Sequence, residues 1–145
     1  MAKSSKWHPW RYIRDHHPHL RVHFVDPAEG SAGHVTRRGI EIDKTCNQAE
    51  RRSTLTHELT HYERGPVPDH PYFGPREERV VERLTARQLI ELDHLVDALL
   101  WTRGRVNDDT AEELWVDLEV LETRIQHLTP RERDYVEREI TRRQP

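Results

Sequence analysis

The 145-residue chain is predicted to be an α+β protein, with a small antiparallel sheet, then a metal-binding helix, then a mostly helical C-terminal half. Three observations predict it. Residues 20–25 and 39–43 alternate apolar and polar side chains at the strand period of two. Residues 48–62 carry two histidines four positions apart, a spacing that a helix turns into side-by-side neighbours. From Arg76 onward apolar residues recur at helical spacing, broken by only a few turn signals.

Taken in order, residues 7–16 read as a short helix, and residues 20–25 as a strand with Val22 and Phe24 on one side. The segment DPAEGSAG, residues 26–33, is turn chemistry throughout. A second strand comes at 39–43, with Ile40 and Ile42 on one face and Glu41 and Asp43 on the other. Asn47 with Glu50 three residues later forms a capping-box pattern, so a helix opens near Gln48 and runs to about Tyr62. Gly65, Pro66 and Pro68 end it, and residues 65–74 are a loop. Pro75 suits the first turn of a second long helix beginning near Arg76. Breaks at residues 104–107 and 116–117 divide the C-terminal half, and Thr129-Pro130 with Glu132 opens a last helix rich in charge. The expectation is one domain over residues 1–145. Residues 1–92 form its metal-binding core, and residues 93–145 a helical, helix-turn-helix-like extension packed on it.

Hydrophobic and charged residues each make up 34% of the chain, which leaves a small core to be packed by Leu, Val, Ile and Trp. Trp7, Trp10, Trp101 and Trp115 are expected to anchor that core or an interface. No apolar run approaches the roughly 20 residues needed to span a bilayer, and MAKSSKWHPW at the N-terminus lacks a secretory apolar segment. A cytoplasmic protein without membrane association is expected. The lone Cys46 excludes an internal disulfide and a cysteine-rich metal site, so a metal has to be held by His and carboxylates. A net charge of −3 argues against general affinity for nucleic acid.

The chemistry lies in His57-Glu58-Leu59-Thr60-His61. Histidines at i and i+4 project from one helix face and can bind one tetrahedral zinc ion, while Glu58 between them can take a proton from water activated there. A His-rich chain can produce this spacing by chance, so the motif needs a third ligand in support. Extension to the longer pattern with a third histidine would need Gly at 64 and His at 67, where Arg64 and Val67 stand. Asp69 and His70 in the loop, and Glu77, Glu78 and Glu82 on the next helix, are the downstream candidates. Glu78 lines up with the apolar Val81, Thr85 and Leu89, and Glu77 falls near the same arc, so periodicity narrows the choice without settling it. Glu82 is a candidate to orient a ligating histidine. Tyr62, His70 and Tyr72 are candidates to stabilise a transition state.

With TLTHELTHYERG (54–65), GIEIDK (39–44) and REERVVERLTARQLI (76–90), the chain resembles the ImmA/IrrE family of metallopeptidases over roughly residues 20–92. The resemblance implies a zincin-like fold, one zinc per chain on His57, His61 and Glu78, and a cleft bordered by the strand at 39–43, whose edge would pair with an extended substrate segment. Val81, Glu82, Leu84 and Thr85 depart from the family's usual Ala, Asp or Asn, Phe and Ala at these positions. The resemblance also implies a substrate class, a DNA-binding repressor whose site-specific cleavage switches on its genes, often within a phage, an integrative element or a stress locus.

The C-terminal region has a helix-turn-helix rhythm, but residues 108–128 hold seven acidic residues against the single Arg124, which would repel phosphate. Leu114, Trp115, Leu118, Leu121, Ile125 and Leu128 are instead expected to pack a helical layer on the core. The expected function is a zinc-dependent endopeptidase acting on a repressor-type protein, with no direct binding of nucleic acid. The alternative is a non-catalytic protein-binding module whose metal site is structural or lost.

Overall fold

A computed structural model of the chain describes residues 5–26 and 31–144. Residues 27–30, half of the expected turn at 26–33, and the first four residues of the N-terminus lie outside the described residues. Seven helices and three strands are described: α1 (Pro9–His16), β1 (Val22–Val25), β2 (Gly33–Thr36), β3 (Gly39–Asp43), α2 (Gln48–Arg64), α3 (Phe73–Leu89), α4 (Leu92–Trp101), α5 (Asp108–Glu113), α6 (Leu118–Gln126) and α7 (Pro130–Arg143). The class is α+β. Among the described residues no helix is long and apolar enough to cross a membrane.

The sheet is mixed, with strand order β1-β3-β2, and this corrects the expected antiparallel pair. A hairpin through Thr36–Gly39 folds β2 back onto one edge of β3, antiparallel, leaving β1 to run parallel to β3 on the other edge. Gly39 makes the crowded start of β3 possible. Its φ is +125°, and a side chain there would strike the Arg21 carbonyl at 2.1 Å. Because both edges of β3 are paired, its backbone is not open to a peptide, and among the described residues β2 is the strand with a free edge beside α2.

Strand β2 falls outside the expected elements because its hydropathy is inverted. Gly33 is buried, whereas Val35 is 38% exposed. Packing explains this arrangement: a methyl group at position 33 would lie 2.6 Å from Thr54 Cγ2 and 3.3 Å from Glu58 Cγ. Only a glycine lets the strand come this close to α2. Beside it, His34 and Glu41 face each other in register and pair at 2.8 Å.

Helix α2 is the centre of the fold. The capping box forms as expected, with Glu50 N donating to Asn47 Oδ1 and Asn47 N to Glu50 Oε1, both at 2.9 Å. Its buried residues Arg52, Ser53, Leu55, Thr56, Glu58 and Leu59 spread over more than one face, because the sheet covers one side and α3 another. Helix α3 starts at Phe73, three residues before the expected Arg76, and buries Gly74, Val81, Thr85, Ala86 and Leu89.

Two apolar clusters result. One joins Ile13, Ile40, Ile42, Cys46, Leu55 and Leu59 between the sheet and α2, and the other joins residues of the helical half, including Leu89, Ile90, Leu95, Leu114 and Leu121. Trp7 packs against both, and its indole N–H donates to Thr56 Oγ1 at 3.0 Å. Arg52 ties the same parts together through polar bonds: its guanidinium donates to the carbonyls of Trp7, Leu89, Leu114 and Trp115 at 2.8–3.2 Å. Burial pulls its pKa down to about 10, which still leaves it charged at neutral pH.

The expected helical layer forms, with Leu114 and Leu121 buried and Leu118, Ile125 and Leu128 partly buried. Trp115 does not belong to it. Its φ of +58° turns the ring outward, and it is 55% exposed with Lys6 Nζ above it at 4.4 Å. Trp101 and Trp10 are exposed as well, so Trp7 is the one tryptophan that anchors the core. Asp117 caps α6 by accepting from Val120 N at 3.0 Å, and α6 packs across α3.

Candidate metal centre

One helix turn separates His57 from His61, and their half-buried rings lie 4.8 Å apart, centroid to centroid, on one side of α2. Helix α3 crosses this face and brings Glu78 to it. Glu78 Oε2 lies 3.1 Å from His61 Nε2 and 3.9 Å from His57 Nε2. One ligand atom from each of His57, His61 and Glu78 falls within 4.8 Å of the others.

These separations fit a zinc ion. Four donors at about 2.0–2.1 Å in a tetrahedron stand about 3.4 Å from one another, and the two distances from Glu78 bracket that value. Two imidazoles and one carboxylate would hold a tetrahedral ion by three positions and would leave the fourth to water. Glu58, 8% exposed, lies on the same helix between the two histidines. Burial, assisted by the Glu78 carboxylate, pushes its carboxyl up to about 7. Burial lowers the His57 pKa, and His61 adds to the effect while Glu78 opposes it, so the imidazole is held in the neutral form that binds metal.

No family model, no curated protein and no solved structure matches the chain.

The structure separates the candidates for a third ligand. Glu77 points away from the cluster and is gripped by Arg64, whose Nη2 donates to it at 3.0 Å. His70 is engaged in capping: its Nδ1 accepts from Tyr72 N at 3.0 Å and Phe73 N at 3.1 Å, closing the N-terminus of α3. His70 thus uses its Nδ1 in this cap, and it does not line the cavity that His57, Glu58, His61 and Glu78 share. Tyr72 is exposed, and its hydroxyl accepts from Arg76 Nη1 at 3.2 Å, so it too stands apart from the metal centre. Glu82 makes no hydrogen bond to either histidine among the described residues. It lines an adjoining recess instead. Tyr62 alone of the three stabiliser candidates borders the same cavity as His57, Glu58, His61 and Glu78.

Two cavities meet at His57 and Glu58. The larger, about 630 Å³, runs past His61 and Glu78 to an apolar end at Val35, Tyr62, Pro66 and Val67. The smaller, about 360 Å³, runs the other way under α6. Ser31 and Gly33 border both, so the edge strand β2 forms the wall of a continuous cleft. The sequence motif leads to His57, Glu58 and His61 directly, whereas nothing in the local pattern of residues 31–36 signals this wall.

Helix α2 is held in register at its C-terminal end, beside His61. Glu63 Oε2 accepts from Tyr12 Oη at 2.7 Å and stands 2.9 Å from His17 Nε2, which fixes α1 against the last turn of α2. Thr85 Oγ1 and Thr60 Oγ1 meet at 3.5 Å where α3 crosses, next to His61 in the chain and two helical turns beyond Glu78.

Proposed function

We propose that the chain is a zinc-dependent endopeptidase with a zincin-like site. His57, His61 and Glu78 would hold the zinc and Glu58 would act as general base. One observation carries this reading: three donors of ordinary zinc-binding type, from two helices, converge within 4.8 Å beside a buried carboxylate in a cleft. Zinc held there supplies a Lewis acid that polarises a peptide carbonyl and acidifies water. Glu58 takes the proton of the attacking water and delivers it to the leaving amine. The free edge of β2 takes an extended polypeptide by main-chain hydrogen bonding, the role expected of the strand at 39–43 before its edges proved to be paired. Tyr62 is positioned at the same cavity to steady charge on the carbonyl oxygen.

The substrate class comes from the resemblance to ImmA/IrrE-type peptidases: a repressor-type, DNA-binding protein, cut at one site to relieve repression. The acidic surface of residues 108–128 fits a protein partner better than nucleic acid, since the charge of Arg124 is spent on the Ile90 carbonyl and Glu132. The test is to incubate the zinc-loaded protein with the DNA-binding proteins encoded beside its gene and to map products by mass spectrometry. Site-specific cleavage that stops with a chelator and in Glu58→Gln is expected, while Glu58→Gln still binds zinc and the substrate. Association without cleavage by the zinc-loaded wild type would favour a protein-binding module instead.

A further inference from the structure

The smaller cavity is lined by Glu82 of α3 and by Asp117 and Glu119 at the start of α6, and no Lys or Arg borders it. None of these three carboxylates makes an ion pair among the described residues. Asp117 also caps α6, which uses one of its oxygens.

A second observation points to what the recess lacks. Ser53 lines it and is 5% exposed, yet its hydroxyl has no hydrogen-bond partner among the described residues. Buried hydroxyls are normally paired, because an unmade bond leaves the desolvation cost uncompensated. Ser53 lies one helical turn before His57 and shares its face of α2, so both residues line the same cavity. Three carboxylates without a Lys or Arg beside them, on a wall that also carries an unpaired hydroxyl able to accept, call for a cation that carries several N–H groups. A guanidinium or ammonium meets both demands, as charge and as hydrogen-bond donor.

We infer that this recess binds the basic side chain of an Arg or Lys in the polypeptide lying along β2. The inference deepens the proposed peptidase reading and rests on it for the placement of the chain. It defines the substrate class as sequences with a basic residue a few positions from the cut, and with apolar residues on the other side, where Val35, Tyr62 and Val67 line the cleft.

The first arm of the test needs no activity. N-acetylarginine amide and its neutral isostere N-acetylcitrulline amide are titrated into the isotope-labelled wild-type protein and followed by NMR. Saturable shifts at the amides of Ser53, Glu82 and Val120 are expected with arginine, about fivefold tighter than with citrulline, which is the effect of roughly 1 kcal/mol of partly screened ion pairing. In Glu82→Gln/Glu119→Gln, which leaves the Asp117 cap intact, that preference should vanish. Equal binding of the two compounds, or no shift at these amides, overturns the inference. The second arm maps cuts made by the zinc-loaded enzyme in a random peptide library. A basic residue enriched at one position near the bond, and lost in the double variant, supports the inference. Cleavage without that preference overturns it and leaves the peptidase reading standing. Arginine binding with no peptide cut supports the recess and counts against the peptidase.

Discussion

Glu78 Oε2 lies 3.1 Å from His61 Nε2, across seventeen residues of sequence and the turn between two helices. Helix α3 is held at this crossing by its packing on α2, with Val81 at 0% and Thr85 at 2% exposure behind the carboxylate. The Glu78 carboxylate is thus presented to the two histidines by a packed helix, not by a loop.

Replacing Glu78 by Ala is therefore expected to weaken zinc binding by more than about 100-fold, beyond the loss typical of groups that merely orient a ligand. His57→Ala and His61→Ala should each abolish stoichiometric zinc, while Glu77→Ala and His70→Ala keep it. Calorimetric titration with zinc checks all five. Retention of tight zinc by Glu78→Ala would remove it from the ligand set.

Gly33→Ala should destabilise the protein by about 1–3 kcal/mol, the usual cost of forcing a methyl into a filled space. Its Cβ would meet Thr54 Cγ2 at 2.6 Å and the Glu41 carbonyl at 3.0 Å. Adding Thr54→Ser removes the nearer obstacle, so the double variant should recover at least about 0.5 kcal/mol relative to additivity. Chemical denaturation of the four proteins measures this, and strict additivity would show that strand β2 is not pressed on α2 at this point.

Arg52→Lys is expected to cost about 3 kcal/mol, because a single ammonium cannot reach all the carbonyls that the guanidinium bridges and leaves some of them buried and unpaired. Thermal unfolding is the measurement. A shift within error of zero would mean that the two apolar clusters hold together without this tie.

Acid should reach the C-terminal half through Glu132. Burial alone would raise its pKa, but the Thr129 N–H, Arg87 and Arg124 outweigh burial and hold it at about 2. A carboxylate depressed in the folded state contributes stability that is full above its ordinary pKa of 4.5 and is lost as pH falls from there towards 2. Glu132→Gln should therefore flatten the stability profile between these limits, at a cost of order 2 kcal/mol near neutral pH. Denaturant titrations of both proteins across that range test it, and parallel profiles would contradict it.

How much was legible in the sequence depends on the range of the interactions. The capping boxes at Asn47 and Thr129, the i, i+4 histidines and the intervening Glu58 are local, and a single chain segment contains the physics that forms them. The choice of Glu78 over Glu77 came from the family resemblance, since both lie near the apolar arc. Geometry supports that choice because α3 packs with Val81 and Thr85 inward, and this turns Glu78 towards His61 and Glu77 towards Arg64.

The features that the tertiary structure alone decided are non-local. The order β1-β3-β2 depends on which edges of Gly39–Asp43 the other strands reach, and alternation of side chains carries no information about edges. Strand β2 was hidden because Gly33 is buried for its lack of a side chain, a property that hydropathy does not record. His70 carries good metal chemistry by residue type, yet the amides of Tyr72 and Phe73 claim its Nδ1. The recess of Ser53, Glu82, Asp117 and Glu119 draws on three helices, so no window of sequence contains it. The sequence by itself determined the helix that carries His57, Glu58 and His61 on neighbouring positions, because helical spacing suffices for it. The approach of Glu78, the cleft's strand wall and its acidic end were decided by packing between segments that are distant in the chain.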